Sequence, residues 1–350
     1  MIAAATATPR SEEELDELLS RPRDATIATL RRTPGDVIIL GAGGKMGPTL
    51  ARMAARAAAV ADAGKPHARR IIAVSRFSSS RAADALVQNG IEVIAADLLD
   101  AAAVARLPDA PNVIFMAGQK FGTADAPSRT WMMNVVVPAH CAERFAGSRI
   151  VAFSTGNVYP LVPATGGGAT EGTTPAPVGE YAASCLGRER MFEHFAATRG
   201  THVAIVRLNY AIDLRYGVLT DIAQRVWRGT PVPIAMGFVN VIWQGDANRV
   251  ALELLPHASN PPYTLNLTGT ELLSVRSLAS QLGMRLGREP RFEGSEATDA
   301  LLSNTARMRE TFGYPETRLD LMLDWVADWV REGRPLLGKP THFEARDGAY

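Results

Sequence analysis

Residues 41–47 read Gly-Ala-Gly-Gly-Lys-Met-Gly, so Gly41, Gly44 and Gly47 recur at every third position. Glycine allows a tight turn there. It also lets main-chain N–H groups, including those of Lys45 and Met46, approach a pyrophosphate at a helix N-terminus. The plainer alternative is a glycine-rich turn that holds nothing. Further on, the run Val74-Ser75-Arg76-Phe77-Ser78 holds no acid and one arginine. An acid beside Ser75 would hydrogen-bond an adenosine ribose and repel a 2′-phosphate, whereas the planar fork of Arg76 suits a phosphate. This favours NADP as the bound dinucleotide and leaves NAD open; the bland reading is a solvated Arg76 beside the adenine. Asp97 is placed either to meet the adenine edge or to cap a helix starting near Asp100.

These residues need a frame. Short apolar runs at Val37–Leu40, Ile71–Val74, Ile91–Ala95, Val113–Met116, Ile150–Phe153 and Val203–Leu208 alternate with alanine-rich helical stretches near 47–62, 80–89, 100–106, 128–145 and 180–199. Unbroken apolar runs suit strands covered on both faces, and strict alternation implies right-handed crossovers in a parallel sheet. The expected fold is α/β, a doubly wound Rossmann-type domain over residues 36–209. A smaller, mostly helical substrate region, 210–350, has helices near 218–228, 246–256, 274–286, 299–312 and 318–332. Strands near 238–243 and 263–267 are expected to join the main sheet. Residues 1–35 read as an extension, with Ser11 and Glu14 forming a capping box for a helix over 11–20. The Gly/Thr/Pro-rich stretch 163–179 reads as a mobile loop.

Composition narrows the function. The 37 basic and 36 acidic residues leave a net charge of +1, which argues against a nucleic-acid partner. Two cysteines and six scattered histidines give no disulfide framework and no metal-ligand spacing, so no metal is expected. No stretch has the length of a membrane helix and no secretory signal is visible, which points to the cytoplasm.

Several motifs then appear in a fixed order. The glycine run is followed by Asp97-Leu98, Ala117-Gly118-Gln119-Lys120, Asn134, Ser154-Thr155-Gly-Asn-Val158-Tyr159, Tyr181 and Gln244-Gly245-Asp246. With these the chain resembles the extended short-chain dehydrogenases/reductases, the group of NAD(P)-dependent epimerases and dehydratases, from about Asp36 to Leu267. The resemblance implies that Tyr181 is the general acid/base, that Thr155 hydrogen-bonds the substrate oxygen and that Ser154 is a neighbouring donor. It implies that Ala117, Gly118, Lys120 and Asn134 support the cofactor. Asn209 and Tyr210 fall near the substrate asparagine, and a homodimer would form through the helices near 128–145 and 180–199.

Two departures matter. In the family a lysine follows the tyrosine by four residues, where it holds the nicotinamide ribose and lowers the tyrosine pKa. Here that position is Cys185, which is short and neutral. The chain has only four lysines, 45, 65, 120 and 339; Lys120, and Arg188 two turns along the Tyr181 helix, are the cations that could stand in. Three readings stay open: catalysis with a surrogate cation, a role for Cys185 itself, or a non-catalytic NADP-binding regulator. Secondly, Val239 stands where nucleotide-sugar enzymes carry arginine, and 229–245 has no basic residue. That leans toward a smaller sugar, sugar acid or polyol over a nucleotide-sugar, to be oxidised or epimerised.

Overall fold

The computed structural model describes residues 7–77, 79–120, 122–123, 125–339 and 341–348. Seven parallel strands form the central sheet: β1 (Val37–Leu40), β2 (Ile71–Ser75), β3 (Glu92–Ala95), β4 (Asn112–Phe115), β5 (Arg149–Thr155), β6 (His202–Leu208) and β7 (Tyr263–Leu267). Their order is β7-β6-β5-β4-β1-β2-β3. Side chains alternate faces along a strand, and here both faces are apolar. Val37 and Ile39 enter one core with Ala204 and Val206, while Ile38 and Leu40 enter another with Val203 and Ile205. Burial on both sides is why these strands read as unbroken apolar runs.

In chain order the helices are α1 (Glu12–Leu19), α2 (Asp24–Arg32), α3 (Gly47–Ala61), α4 (Ser80–Val87), α5 (Ala101–Ala105), α6 (Pro127–Trp131), α7 (Val137–Arg144) and α8 (Gly179–Arg199). Then come α9 (Val218–Arg228), α10 (Gln244–Glu253), α11 (Val275–Leu286), α12 (Ala306–Phe312) and α13 (Leu319–Arg331). Strand order reverses between β1 and β4, which opens a crevice at the carboxyl ends of these strands. A third core joins α9, α11 and α13 on the C-terminal side.

The extension is part of that core. Ser11 Oγ accepts from Glu14 N at 3.2 Å, and α1 buries Leu15 and Leu19 among the C-terminal helices. Asp16 takes Arg215 at 2.9 Å, and Glu17 takes Arg56 of α3 at 2.6 Å. One short helix thus ties the sheet layer to the C-terminal helices.

Four expectations change. Of 238–243 and 263–267, only the second joins the sheet; Phe238–Val239 and Ile242–Trp243 pair in two-residue ladders with Leu273–Ser274 and Ala211–Ile212. The helix expected over 299–312 begins only at Ala306, because Asp299–Ala300 pairs with Val162–Pro163. The same pairing fastens the stretch expected to be a mobile loop: Ala169 N donates to Leu302 O, and Asn304 N to Ala169 O. These main-chain partners are distant in sequence, so no local pattern announces them. Finally, the helix over 128–145 is three segments, α6, a π turn (Met132–Val136) and α7. A π turn widens the helix by one residue and re-aims a side chain, here Asn134.

Candidate active site

The glycine turn joins β1 to α3. Gly41 has φ +91°, and a Cβ there would stand 2.5 Å from the main-chain nitrogen of Ala117, so the ends of β1 and β4 are pinched together. At Gly47 a Cβ would strike Ala42 O at 2.3 Å, which fixes how closely α3 starts against the turn. Gly44 differs: a Cβ would meet only Gly41 O, at 3.4 Å. Its bare face opens on space at the N-terminus of α3, whose unsatisfied N–H groups and positive dipole end suit a pyrophosphate. Lys45 and Met46 serve that turn through main chain alone. The Lys45 ammonium donates to Ala211 O at 2.9 Å and lies over the Tyr216 ring, while Met46 packs on the core.

Ser75 lies against Gly43, where a Cβ would come within 2.6 Å of its hydroxyl. Arg76 is exposed and, among the described residues, makes no hydrogen bond or ion pair. Asp97 is exposed as well, its carboxylate accepting from Leu99 N at 3.0 Å, while Asp100 caps α5. The capping alternative for Asp97 is therefore excluded, and Leu98 is core. These residues fit a dinucleotide.

The second constellation gathers on α8. Tyr181 hydrogen-bonds Thr155, at the carboxyl end of β5, and touches the thiol of Cys185 one turn on. Burial holds the phenol well above its ordinary pKa, and the Arg188 guanidinium pulls it back in part. Thr155 also donates to Asn157 Oδ1 at 2.9 Å. Ser154 goes elsewhere: its hydroxyl donates to Glu189 at 2.6 Å, and Glu189 pairs with Arg207, which donates to Tyr159. The structure brings Thr155, and not Ser154, to the tyrosine.

Arg188 is the hub that spacing suggested only weakly. It donates to Phe153 O at 2.8 Å and to Asn134 Oδ1 at 2.7 Å, and it makes no carboxylate ion pair among the described residues. Asn134 in turn binds the main chain of Gln119 from both ends of its amide, at 2.8 and 2.9 Å, and Ser184 Oγ at 2.9 Å. Gly118 has a specific reason to be glycine, since a Cβ there would lie 2.2 Å from Arg188 Nη2. The seven-residue step from Tyr181 to Arg188 puts both on one helix face, the spacing by which the sequence names Arg188 as a possible stand-in cation.

Lys120 meets the same site from the β4 loop. Burial lowers its pKa to about 8, partly offset by Asp221 and by the Cys185 thiol, so its ammonium lies within electrostatic reach of Cys185. Lys45, also brought down to about 8 by burial, feels Lys120 directly. Two of the four lysines, distant in sequence, thus come within electrostatic reach of each other. Cys185 is fully buried and burial raises its pKa, which disfavours a thiolate. Asn209 is buried, its amide given to Leu301 O at 3.3 Å; Tyr210, at φ +41°, donates to Phe343 O at 3.5 Å.

The sequence profile of the NAD dependent epimerase/dehydratase family matches residues 37–212, just over half the chain. The chain belongs to that family. Its members are enzymes of the extended short-chain type. Solved structures with the same fold include UDP-glucose 4-epimerase from Thermotoga maritima with UDP-glucose, at 18% identity and TM-score 0.68, covering 85% of this chain and 99% of that one. UDP-glucuronic acid 4-epimerase from Bacillus cereus with NAD aligns at 16% identity and TM-score 0.69, over 85% and 99%. UDP-glucose 4-epimerase from Thermus thermophilus with NAD aligns at 18% and 0.67, over 84% and 98%. No curated protein sequence matches the chain. Among the described residues, no helix is long and apolar enough to cross a membrane.

Proposed function

We propose that this enzyme oxidises or epimerises a hydroxyl carbon of a small sugar, sugar acid or polyol, with Tyr181 moving the proton. The observation that carries this is the Tyr181–Thr155 hydrogen bond at the carboxyl end of β5, with the Arg188 guanidinium acting on the phenol and the Lys120 ammonium on the neighbouring Cys185. When bound, the dinucleotide supplies the hydride acceptor. Thr155 orients the substrate oxygen, Tyr181 takes its proton, and the nearby positive charge favours the phenolate that transiently forms. Lys120 is proposed to replace the charge missing at Cys185. Arg76, exposed at the end of β2 with no acid beside it, supports NADP over NAD. The family's oxidation and epimerisation begin with the same hydride step, so the deciding experiment is turnover of a sugar and polyol panel with both cofactors. Net absorbance change at the nicotinamide band means a dehydrogenase; isomerised product without it means an epimerase.

A nucleotide-sugar substrate is the second reading, favoured by one observation. A cavity of about 600 Å3 is lined by Arg215, Arg225, Arg228 and Lys339, with Asp221 and Glu344, and supplies cations absent from 229–245. The three similar enzymes are named for UDP-sugar substrates, UDP-glucose in two and UDP-glucuronic acid in one. A rise in melting temperature with UDP-glucose would favour this reading. We further propose a cytoplasmic homodimer joined through exposed Trp131 and Met132; light scattering of Trp131→Glu tests it.

A further inference from the structure

The C-terminal segment 341–348 leaves the third core and spans both walls of the crevice. On the substrate side, Asp221 accepts from Thr341 N at 2.8 Å and from its hydroxyl at 2.6 Å. Phe343 is fully buried among the C-terminal helices, and its carbonyl accepts from Tyr210. Arg346 pairs with Asp299 and donates to Asp299 O at 2.9 Å. On the dinucleotide side, Thr341 O takes the Lys120 ammonium at 3.5 Å. The far end is pressed on the start of α8: a Cβ at Gly179 would stand 2.5 Å from Gly348 O, and one at Gly348 2.2 Å from Val178 O. Tyr181 follows Gly179 by two residues. The segment therefore touches, in order, Lys120, Tyr210 and the helix start that carries the candidate acid/base.

We propose that residues 341–348 are a strap that limits the size of the substrate reaching Tyr181, admitting a monosaccharide or polyol and excluding a nucleotide-linked sugar. This rests on the reading that Tyr181 is the acid/base of the cleft. The anchors set the strap's strength. Phe343 and the Thr341–Asp221 bonds hold one end in the core, whereas the other end is held against Val178–Gly179 by close main-chain contact. Gly348 adopts φ +76°, so both its conformation and its clearance from Val178 exclude a side chain. A substitution there lifts the strap's end and leaves the buried Phe343 in place.

The test uses the full chain, Gly348→Val, and a chain ended after Lys339, all titrated with UDP-glucose in the calorimeter after saturation with NADH. The expected result is at least about tenfold tighter UDP-glucose binding by both variants, with unchanged NADH affinity and melting that confirms a folded protein. Should the chain ended after Lys339 fail to fold, Gly348→Val alone decides. Equal UDP-glucose affinity in the full chain and a folded variant overturns the strap. If Tyr181→Phe keeps full turnover of a small substrate, the acid/base reading falls, whatever the UDP-glucose titration gives.

Discussion

Around the glycine turn, main chain packs against main chain: Gly41 meets Ala117, Gly47 meets Ala42, and Gly44 has only Gly41 O nearby, at ordinary contact distance. Around Tyr181 the contacts run through side chains drawn from β5, the π turn, the β4 loop and α8, with Arg188 and Asn134 at the centre. The first region needs only the absence of a Cβ at fixed spacing. The second needs several polar groups, each satisfied by a partner far along the chain. Backbone-built sites tolerate change in their surroundings, whereas a buried polar network transmits the loss of one member to the rest.

The largest expected effect is at Tyr181. Tyr181→Phe should lower turnover by about 10²- to 10⁴-fold, as expected for removing a general acid/base, and leave NADH binding unchanged. A variant as active as the parent would mean that the family's chemistry no longer runs through this phenol, and would favour a regulatory role.

The glycine turn can be split internally. Gly47→Val forces a side chain onto Ala42 O and should cost roughly 2–3 kcal/mol of stability, read as a lowered melting temperature. Gly44→Ala should melt like the parent yet bind NADH more weakly. Equal melting losses at both positions would show that Gly44 serves packing and not the dinucleotide.

Arg188→Met should cost about 1–3 kcal/mol, because Phe153 O loses its buried side-chain donor. It should also move the rising limb of the pH–rate profile for oxidation upward, since a cation that holds the Tyr181 pKa down is gone. An unchanged limb would assign Arg188 a purely structural role.

Arg76→Glu should shift the NADPH:NADH affinity ratio toward NADH by about tenfold, one charge-assisted phosphate contact being lost and a repulsion gained. Identical ratios would leave Arg76 as a solvated neighbour of the adenine.

The smallest effect is expected at Cys185. With Cys185→Lys, an ammonium one turn from Tyr181 stabilises the phenolate, lowers its pKa and moves the onset of oxidation down by about one pH unit. If the onset stays put, Arg188 and Lys120 already set the ionisation.

Much of this architecture lies open in the sequence. The strands from Val37 to Leu208 and the helix over 218–228 are local patterns, written in runs of apolar residues that both faces of a buried parallel sheet require. The glycine spacing is equally local, because a turn that brings N–H groups to a phosphate is made within seven residues. The nearness of Cys185 to Tyr181 is legible too, since positions i and i+4 on a helix share a face whatever packs around them.

The tertiary structure decided the rest. Whether Ser154 or Thr155 meets Tyr181 depends on which side of β5 faces Glu189, and no local pattern reports that. The stretches 163–179 and 299–305 order each other by main-chain bonds across more than a hundred residues. Lys45, Lys120 and Arg188 acquire their meaning from burial and from one another, and the C-terminal segment from the walls it bridges. Periodicity and turn chemistry act between neighbours in sequence. Electrostatics and desolvation act between neighbours in space, and only the folded chain says which residues those are.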